Sequence, residues 1–479
     1  MKSPPQSLVA RRLLLSGSVA ALLWKQCESV ARAQTEGDSS KTVRDFGAAG
    51  DGEADDTAAL QRAVDSSTGG VRLTKGVYRI TKPVRVTLDD VGYTSITGDG
   101  TATVIMAGEG PAFHIIGTHG GTAAPDTVKD NVWAKQRMPL IDGFEIRGEH
   151  PKSQGIVAEG TMNAIFSRLL IRRASDGIVL TGRNRNVIIS ECQIYHNRGV
   201  GILLDRLNLH QINISNSHIS YNGGGGVVVR GSEVRNLQIG TSDIEANMDP
   251  AGPPTANVLI DAREGSVREG AITGCTLQHA HEAPGSANIR FIGRAEEPIK
   301  IGYFSISDNA LSDVAVNVHL QYVRGVSISG NSFWKGFEHN LLVEGSSNIV
   351  VGPNLFDRNP DYRPADSRDS LLFVDSADST LTGLHINHVL DPEAALTLRR
   401  CKRFNVTNSM ILDSANVGLL LDDVEHVRVS DTVIRNGRED AGDFVAIRLT
   451  RGRQNVISGN VFAGKVDIAP GAANAEGNR

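Results

Sequence analysis

Short runs of alternating apolar and polar residues follow a Gly or an Asn along most of this chain, and each run ends in a turn. The series opens near residue 140 with Gly155-Ile156-Val157, Gly177-Ile178-Val179-Leu180, Gly201-Ile202-Leu203-Leu204 and Gly226-Val227-Val228-Val229. It continues with Asn257 to Ile260, Asn288 to Phe291, Asn317 to Leu320 and Asn340 to Val343, then Leu371 to Val374, Leu396 to Leu398, Leu419 to Leu421 and Ile447 to Leu449. Between the first apolar residues of successive runs the spacings are 22, 24, 25, 31, 31, 29, 23, 30, 25, 23 and 28. A second alternating unit falls between these anchors, as in Val187 to Ile194, Ile212 to Ile219 and Val326 to Phe333.

Period-2 alternation predicts strands, and a repeat of 20–50 residues predicts a solenoid or an array. Each repeat holds two or three short strands and no helical period, so the expected fold is all-β, a single-stranded parallel β-helix. Twelve anchored coils, stacked about 4.8 Å apart, make a rod of about 55–60 Å. Asn309, Asn331, Asn354 and Asn460 stand at turn positions, where Asn tolerates the left-handed conformation and can bond to the next coil. A propeller needs near-constant blades of about 40 residues, which these spacings do not give.

A solenoid must cover its open ends. Asp55-Asp56-Thr57 carries a helix-start signal, and Ala59, Leu60, Ala63 and Val64 form one apolar face behind it. A capping helix is expected there. Upstream, Lys2, Arg11 and Arg12 precede the apolar stretches Leu13 to Leu15 and Val19 to Trp24, and Ala31-Arg32-Ala33 offers small residues for cleavage. This is the three-part pattern of an export signal, and the Arg11-Arg12 pair raises the twin-arginine route. The expected organisation is a signal peptide over 1–33, a linker over 34–42, one β-helix domain over 43–470 and a flexible tail over 471–479. No later stretch approaches 18 apolar residues, so no membrane insertion is expected.

Composition narrows the function. The 479 residues are 40% hydrophobic and 22% charged, as in globular proteins, and 51 of them are Gly. Net charge is -5, and removing the basic first 33 residues leaves about -9. Nonspecific nucleic-acid binding needs a basic footprint that this balance does not supply, although a local basic cleft is compatible with it. Outside the signal the thiols are Cys192, Cys275 and Cys401, an odd number without metal-ligand spacing. Cys192 and Cys275 fall at the same place in coils three apart, about 14 Å, beyond disulfide reach.

The run Val43-Arg44-Asp45-Phe46-Gly47-Ala48-Ala49-Gly50-Asp51-Gly52, followed by Asp55-Asp56-Thr57-Ala58-Ala59-Leu60-Gln61, resembles the opening of the pectate-lyase-like superfamily. Gly76-Val77-Tyr78 resembles that group's first strand. The group includes rhamnogalacturonase-like, polygalacturonase-like and epimerase-like proteins and phage tailspikes. The resemblance implies a right-handed coil acting on polysaccharide, and the group's trimers make a homotrimer an expectation. It does not fix a reaction, because function resides in the site. The polygalacturonase signatures Asn-Thr-Asp, Gly-Asp-Asp, Gly-His-Gly and Arg-Ile-Lys do not occur, and neither do the pectate-lyase patterns. Ser175-Asp176-Gly177-Ile178 resembles the polygalacturonase Asp-Gly-Ile step and points to the turns before the anchor strands.

Aligning coils on Ile171, Ile194, Ile219, Ile244 and Leu277 places their flanking residues outward, in one patch about 20 Å long. Asp243 and Glu245 share a face with Cα atoms about 6.6 Å apart. Glycoside hydrolysis needs such a pair, one carboxyl protonated and one ionised. His196, Tyr221 and Arg198 supply the base and cation that β-elimination or C5-epimerisation of a uronic acid would need. Arg172, Asp176, Tyr195, His218, His279, Trp334 and Lys335 are the expected substrate-binding residues. The bland alternative for each is a solvated surface group or a turn hydrogen bond. His279 and His281 offer two metal ligands without a third. The loops Met248 to Ala256, Glu282 to Ala287 and Gly117 to Pro139 are expected to wall a groove there. Gly223 to Gly226 is read as a tight turn, because it lacks the Lys-Ser/Thr of a phosphate loop. Asp205, Arg230, Asp261, Glu344, Asp375 and Asp422 read as a solvated column.

The sequence therefore predicts a periplasmic or secreted enzyme that hydrolyses a polysaccharide through Asp243 and Glu245. Lyase or epimerase chemistry is the alternative, and a noncatalytic glycan-binding or adhesin-like β-helix is the rival of another class. No cofactor is expected, with calcium at carboxylate-rich turns left open.

Overall fold

A computed structural model describes residues 41–66, 68–280, 282–358, 367–390, 392–439 and 442–479. The export-signal stretch, Cys27, His281 and most of the linker lie outside them. Residues 42–479 form one compact unit.

Most coils carry three stretches of strand, one for each sheet, and each stretch pairs in parallel with its counterpart on the next coil. Sheet 1 holds sixteen short strands, from Asp51–Asp55 through Gly76–Ile80 and Asp243–Glu245 to Val461–Ala463. Sheet 2 carries the anchor runs, for example Gly225–Arg230, Ala256–Asp261 and Ala287–Ile292. Sheet 3 follows it, with Ile165–Ser167, Glu233–Gly240 and Ser266–Thr273 among its strands. Two strands, Ile178–Ser190 and Val200–Ser215, run from sheet 2 into sheet 3 without a break.

The anchor register read from the sequence is the observed one. Ile156, Ile178, Ile202, Val227, Val258, Ile289, Val318, Leu341, Leu371, Leu396, Leu419 and Ile447 are successive Cα partners down sheet 2. Each points inward and is buried. Burying an aliphatic side chain contributes about 1.5–3 kcal/mol, so this column supplies much of the cohesion between coils. The apolar column of sheet 1 runs Ile171, Ile194, Ile219, Ile244 and Leu277 in the predicted register, and continues through Leu311, Phe333 and Phe356.

Amide ladders tie the turns together. Asn309 donates to Asn331, and Asn331 to Asn354, each at 3.0 Å. A longer ladder, not foreseen, joins Asn197, Asn222, Asn247, Asn257, Asn288, Asn317 and Asn340 with Nδ2–Oδ1 distances of 2.7–2.9 Å. All seven are buried, so their amides must find partners inside; six find one on the next member, and Asn340 donates to Asp369 O.

The capping helix spans Thr57–Asp65 and buries Ala59, Leu60, Ala63 and Val64. Its start is held by Asp55, whose Oδ1 accepts from the Thr57 N–H at 3.0 Å. Asp56 turns back instead. Its buried carboxylate accepts from the backbone of Ala49 and Gly50, which fixes the glycine-rich entry.

Some boundaries differ from expectation. Gly76–Ile80 is the second strand of sheet 1, because Asp51–Asp55 pairs with it from below. Ala473–Glu476 pairs with Asn455–Ser458, and Asn460 donates to Asn478 at 2.9 Å. The coil thus runs on through the residues read as a tail from 471, since their alternation and the Asn supply another rung. Cys192, Cys275 and Cys401 are buried free thiols. Burial pushes Cys192 and Cys401 up to about 11.

Candidate functional site

The outer face of sheet 1 has two columns beside its buried apolar one. The first is Leu170, Gln193, His218, Asp243 and Thr276; the second is Arg172, Tyr195, Ser220, Glu245 and Gln278. The next residue of each coil takes a left-handed turn: Arg173, His196, Tyr221, Ala246 and His279, with φ of 53° to 67°. That conformation costs a side-chain-bearing residue about 1–2 kcal/mol. Its effect is to swing these side chains out at the edge of the patch.

Asp243 and Glu245 flank the buried Ile244, as the spacing requires, and both are partly buried. Their surroundings differ. Asp243 Oδ2 lies 3.5 Å from Nδ1 of His218, while its Oδ1 is buried with no hydrogen-bond partner. Burial, and then the charge of Glu245, push the Asp243 carboxyl above the usual carboxylate range. Glu245 accepts from Nε2 of Gln278 at 3.0 Å and faces His279 at 3.8 Å. One carboxyl therefore holds its proton to higher pH than usual, and the other is bonded as an acceptor.

His196 and Tyr221 stack, with ring centroids 5.1 Å apart and planes 15° apart, and Tyr195 meets His196 edge-on. Tyr221 is half exposed. The stack gives the patch an aromatic shelf of the kind on which sugar rings lie.

Other predicted residues are engaged elsewhere. Arg172 pairs with Glu145 at 2.7 Å. Arg198 donates to the backbone carbonyls of His150 and Pro151. Asp176 accepts from the Val200 N–H at 2.9 Å and so closes a turn. Trp334 and Lys335 do follow the sheet 1 column, two coils beyond Leu277, and Lys335 lies 3.7 Å from Asp313 with little exposure.

Loops Met248 to Ala256 and Glu282 to Ala287 connect sheet 1 to sheet 2 beside the patch, as expected. The loop Gly117 to Pro139 does not wall it. It connects sheet 2 to sheet 3 at another corner, where Thr122 and Ala124 accept from Arg185. It carries no repeat, so nothing in the pattern gave its register.

The sequence reading missed one cluster, on the outer face of sheet 2. His319 Nε2 lies 2.7 Å from Glu344 Oε2, and Nε of Arg290 donates to His319 Nδ1 at 3.3 Å. The hydrogen bond with His319 holds Glu344 below the usual carboxylate range. Glu344 had been read as part of a solvated column. Arg290 is fixed by Thr255 O at 3.3 Å and Gly285 O at 2.7 Å, one from each long loop. Aligning the anchor runs through Val318 and Leu341 would have placed His319 and Glu344 on neighbouring coils. The rest of the predicted solvated column does pair outside, with Arg230 2.9 Å from Asp205 and Arg400 2.7 Å from Asp375. Among the described residues no group of three or more His, Cys, Asp or Glu is placed to hold a metal ion, and no helix is long and apolar enough to cross a membrane.

Residues 41–136 match the family model "Rhamnogalacturonase A/epimerase, pectate lyase-like", and residues 127–268 match "Right handed beta helix region". No curated protein matches the chain in sequence. Among solved structures, the pre-mature gene product 12 of bacteriophage phi29 is similar over 94% of this chain and 58% of its own, at 13% identity and TM-score 0.50. The A-module of the Azotobacter vinelandii mannuronan C-5 epimerase AlgE6 covers 90% of this chain and 99% of its own, at 14% identity and TM-score 0.40. The catalytic unit of the GH87 α-1,3-glucanase of Streptomyces thermodiastaticus covers 87% and 69%, at 13% identity and TM-score 0.32. At such identities the likeness is one of fold.

Proposed function

The chain belongs to the pectate-lyase-like superfamily of right-handed parallel β-helices, and we propose that it hydrolyses a glycosidic bond of a polysaccharide on the outer face of sheet 1. The observation that carries this reading is the contrast between Asp243 and Glu245. Asp243, its carboxyl raised by burial and by its neighbour's charge, gives its proton to the leaving-group oxygen. Glu245, positioned by Gln278, acts as the base on a water molecule. The Cα spacing of about 6.6 Å leans toward the inverting geometry, which leaves room for that water. His218, Tyr195 and the His196–Tyr221 stack supply hydrogen bonds and a shelf for the sugar.

Elimination or epimerisation of a uronic acid is the second reading. The side-by-side imidazole and phenol of His196 and Tyr221 favour it. It needs a free cation for the sugar carboxylate, and Arg198 and Arg172 are both held by other partners. Hydrolysis is therefore the stronger reading. A periplasmic or secreted location rests on the pattern of residues 1–33, and a homotrimer on the superfamily resemblance alone.

The test is a polysaccharide panel of pectins, rhamnogalacturonan, alginate and neutral glucans, read together for reducing ends and for absorbance of unsaturated uronate. Reducing ends without the absorbance support hydrolysis. Both signals together replace it with a lyase, and neither leaves the epimerase and glycan-binding readings.

A further inference from the structure

The outer face of sheet 3 carries a groove of about 540 Å³, on a different sheet from the carboxylate pair. Six carboxamides line it: Asn163, Asn186, Gln211, Asn213, Asn236 and Gln238. Asn163, Asn186, Gln211 and Asn236 occupy one left-handed turn column, with φ of 54° to 69°. Backbone strain accounts for Asn there, since Asn tolerates that conformation. It does not account for Asn213 and Gln238, which are strand residues, successive partners of Ile188 in the same outward column. Asn is depleted in strands, and a β-branched residue is the expected occupant.

The two sets of amides in this protein behave differently. The buried Asn ladder spends its hydrogen bonds on itself. Among the described residues, none of the six groove carboxamides has a side-chain hydrogen bond to protein. The Oδ1 of Asn186 is buried and without a partner, although a buried polar atom normally has one. Between the amides lies an apolar strip, Ile165 and Ile188, with Met138 at one end; Ile188 and Met138 are exposed. Apolar patches between free amides suit the alternating C–H and O–H surface of a pyranose chain.

One residue before the amide column runs a column of three arginines and one histidine. Arg185, His210, Arg235 and Arg268 are successive Cα partners, so their rungs are about 4.8 Å apart. Like charges on adjacent rungs repel. Burial first, and then the neighbouring arginines, lower both Arg235 and His210. Arg185 is 7% exposed, with its Nε buried and unpaired, and Nε of Arg268 is likewise unpaired. Glu233, 3.7 Å from Arg235, and Glu269, on the turn after Arg268, offset part of this charge. An anionic ligand would relieve the repulsion and fill the open donors.

We propose that the sheet 3 groove binds an acidic polysaccharide, with the amides and the apolar strip holding the sugar rings and the adjacent Arg235 and Arg268, with His210 beside them, receiving their carboxylates. The rise of one coil per cation matches a ligand that repeats its charge along a chain. The site stands apart from the sheet 1 patch and does not depend on the hydrolase reading.

The test is affinity electrophoresis of the full chain through native gels containing polygalacturonate, its fully methyl-esterified form, or heparin. Retardation by polygalacturonate, lost on esterification and weakened by salt, is the expected result. The pairs R235Q/R268Q and N213A/Q238A should each weaken it at least tenfold. N213D and Q238E keep the side-chain shapes and add negative charge, so they should weaken it even where an alanine variant folds poorly; thermal unfolding identifies such a variant. Equal retardation of these variants and the parent protein overturns the proposal. So does equal retention by the acid and the ester, or no retention by polygalacturonate. Retention by heparin alone overturns the carboxylate assignment in favour of sulfate.

Discussion

Oδ2 of Asp243 lies 3.5 Å from Nδ1 of His218 on the preceding coil, while its Oδ1 is buried and unpaired. A carboxyl so placed holds its proton to higher pH than an ordinary carboxyl does. Its folded-state pKa is raised, so the stability it contributes is fully present below its ordinary pKa and is lost as pH rises through the raised value. D243N removes the ionisation. Its thermal midpoint should equal or exceed that of the parent protein near neutral pH, with the gap narrowing on acidification. Its kcat on the substrate found by the panel should fall about 10²–10⁴-fold. A variant less stable at neutral pH and more nearly equal at high pH would reverse the sign and remove the argument.

Replacing Asn222 tests the long amide ladder. Its Oδ1 accepts from both N and Nδ2 of Asn197, and its Nδ2 donates to Asn247 and to Ile194 O. N222A strands two buried donors, at about 1–3 kcal/mol each. A lowered denaturation midpoint, corresponding to at least about 2 kcal/mol, is expected from chemical unfolding. The exposed strand residue Asn213, whose backbone is not left-handed, should give almost no change in stability when replaced by alanine.

Arg290 ties the two loops to the sheet. R290A frees Thr255 O and Gly285 O, so protease cutting within 248–256 and 282–287 should quicken several-fold while the coil strands stay protected. Unchanged cutting would mean that the loops hold themselves.

The three buried thiols should be silent. Cys192 and Cys401, pushed up to about 11, carry almost no thiolate at neutral pH, and Cys275 is raised by burial as well. A thiol reagent should label none of the three in the folded protein and all three after denaturation. Fast labelling of Cys275 in the folded state would expose that coil as locally open.

The coil register was legible because inward residues must be apolar at every second position, and Gly or Asn marks each turn. A one-residue slip would have turned Ile178 or Val227 outward, so the pattern admits one answer. The pairing of Asp243 with Glu245 followed from the same alternation. What that alternation could not show is which outward residues meet across coils. His319 and Glu344 are 25 positions apart, and the groove amides are spread from Asn163 to Gln238; both become neighbours only once several coils are laid over one another. Arg172 and Arg198 were read as free cations because their partners, Glu145 and the carbonyls of the 150–151 turn, sit on earlier coils. The Gly117 to Pro139 loop was misplaced because its short 3₁₀ and π turns belong to no repeat.

Asn247 donates to Asn257 only ten residues further on, closing the neck of the loop between them. Further along, Asn257, Asn288, Asn317 and Asn340 clasp the chain of the next coil through Gln278 O, Ser312 O, Trp334 O and Asp369 O. A clasped neck makes loop length nearly independent of the rod, because doubling a loop adds only about 0.6 kcal/mol of closure cost. Coils of 22 and 31 residues can therefore stack in one register. The architecture separates what must stay fixed from what is free to vary, so the rim of the molecule can be rewritten for a new ligand without refolding its spine.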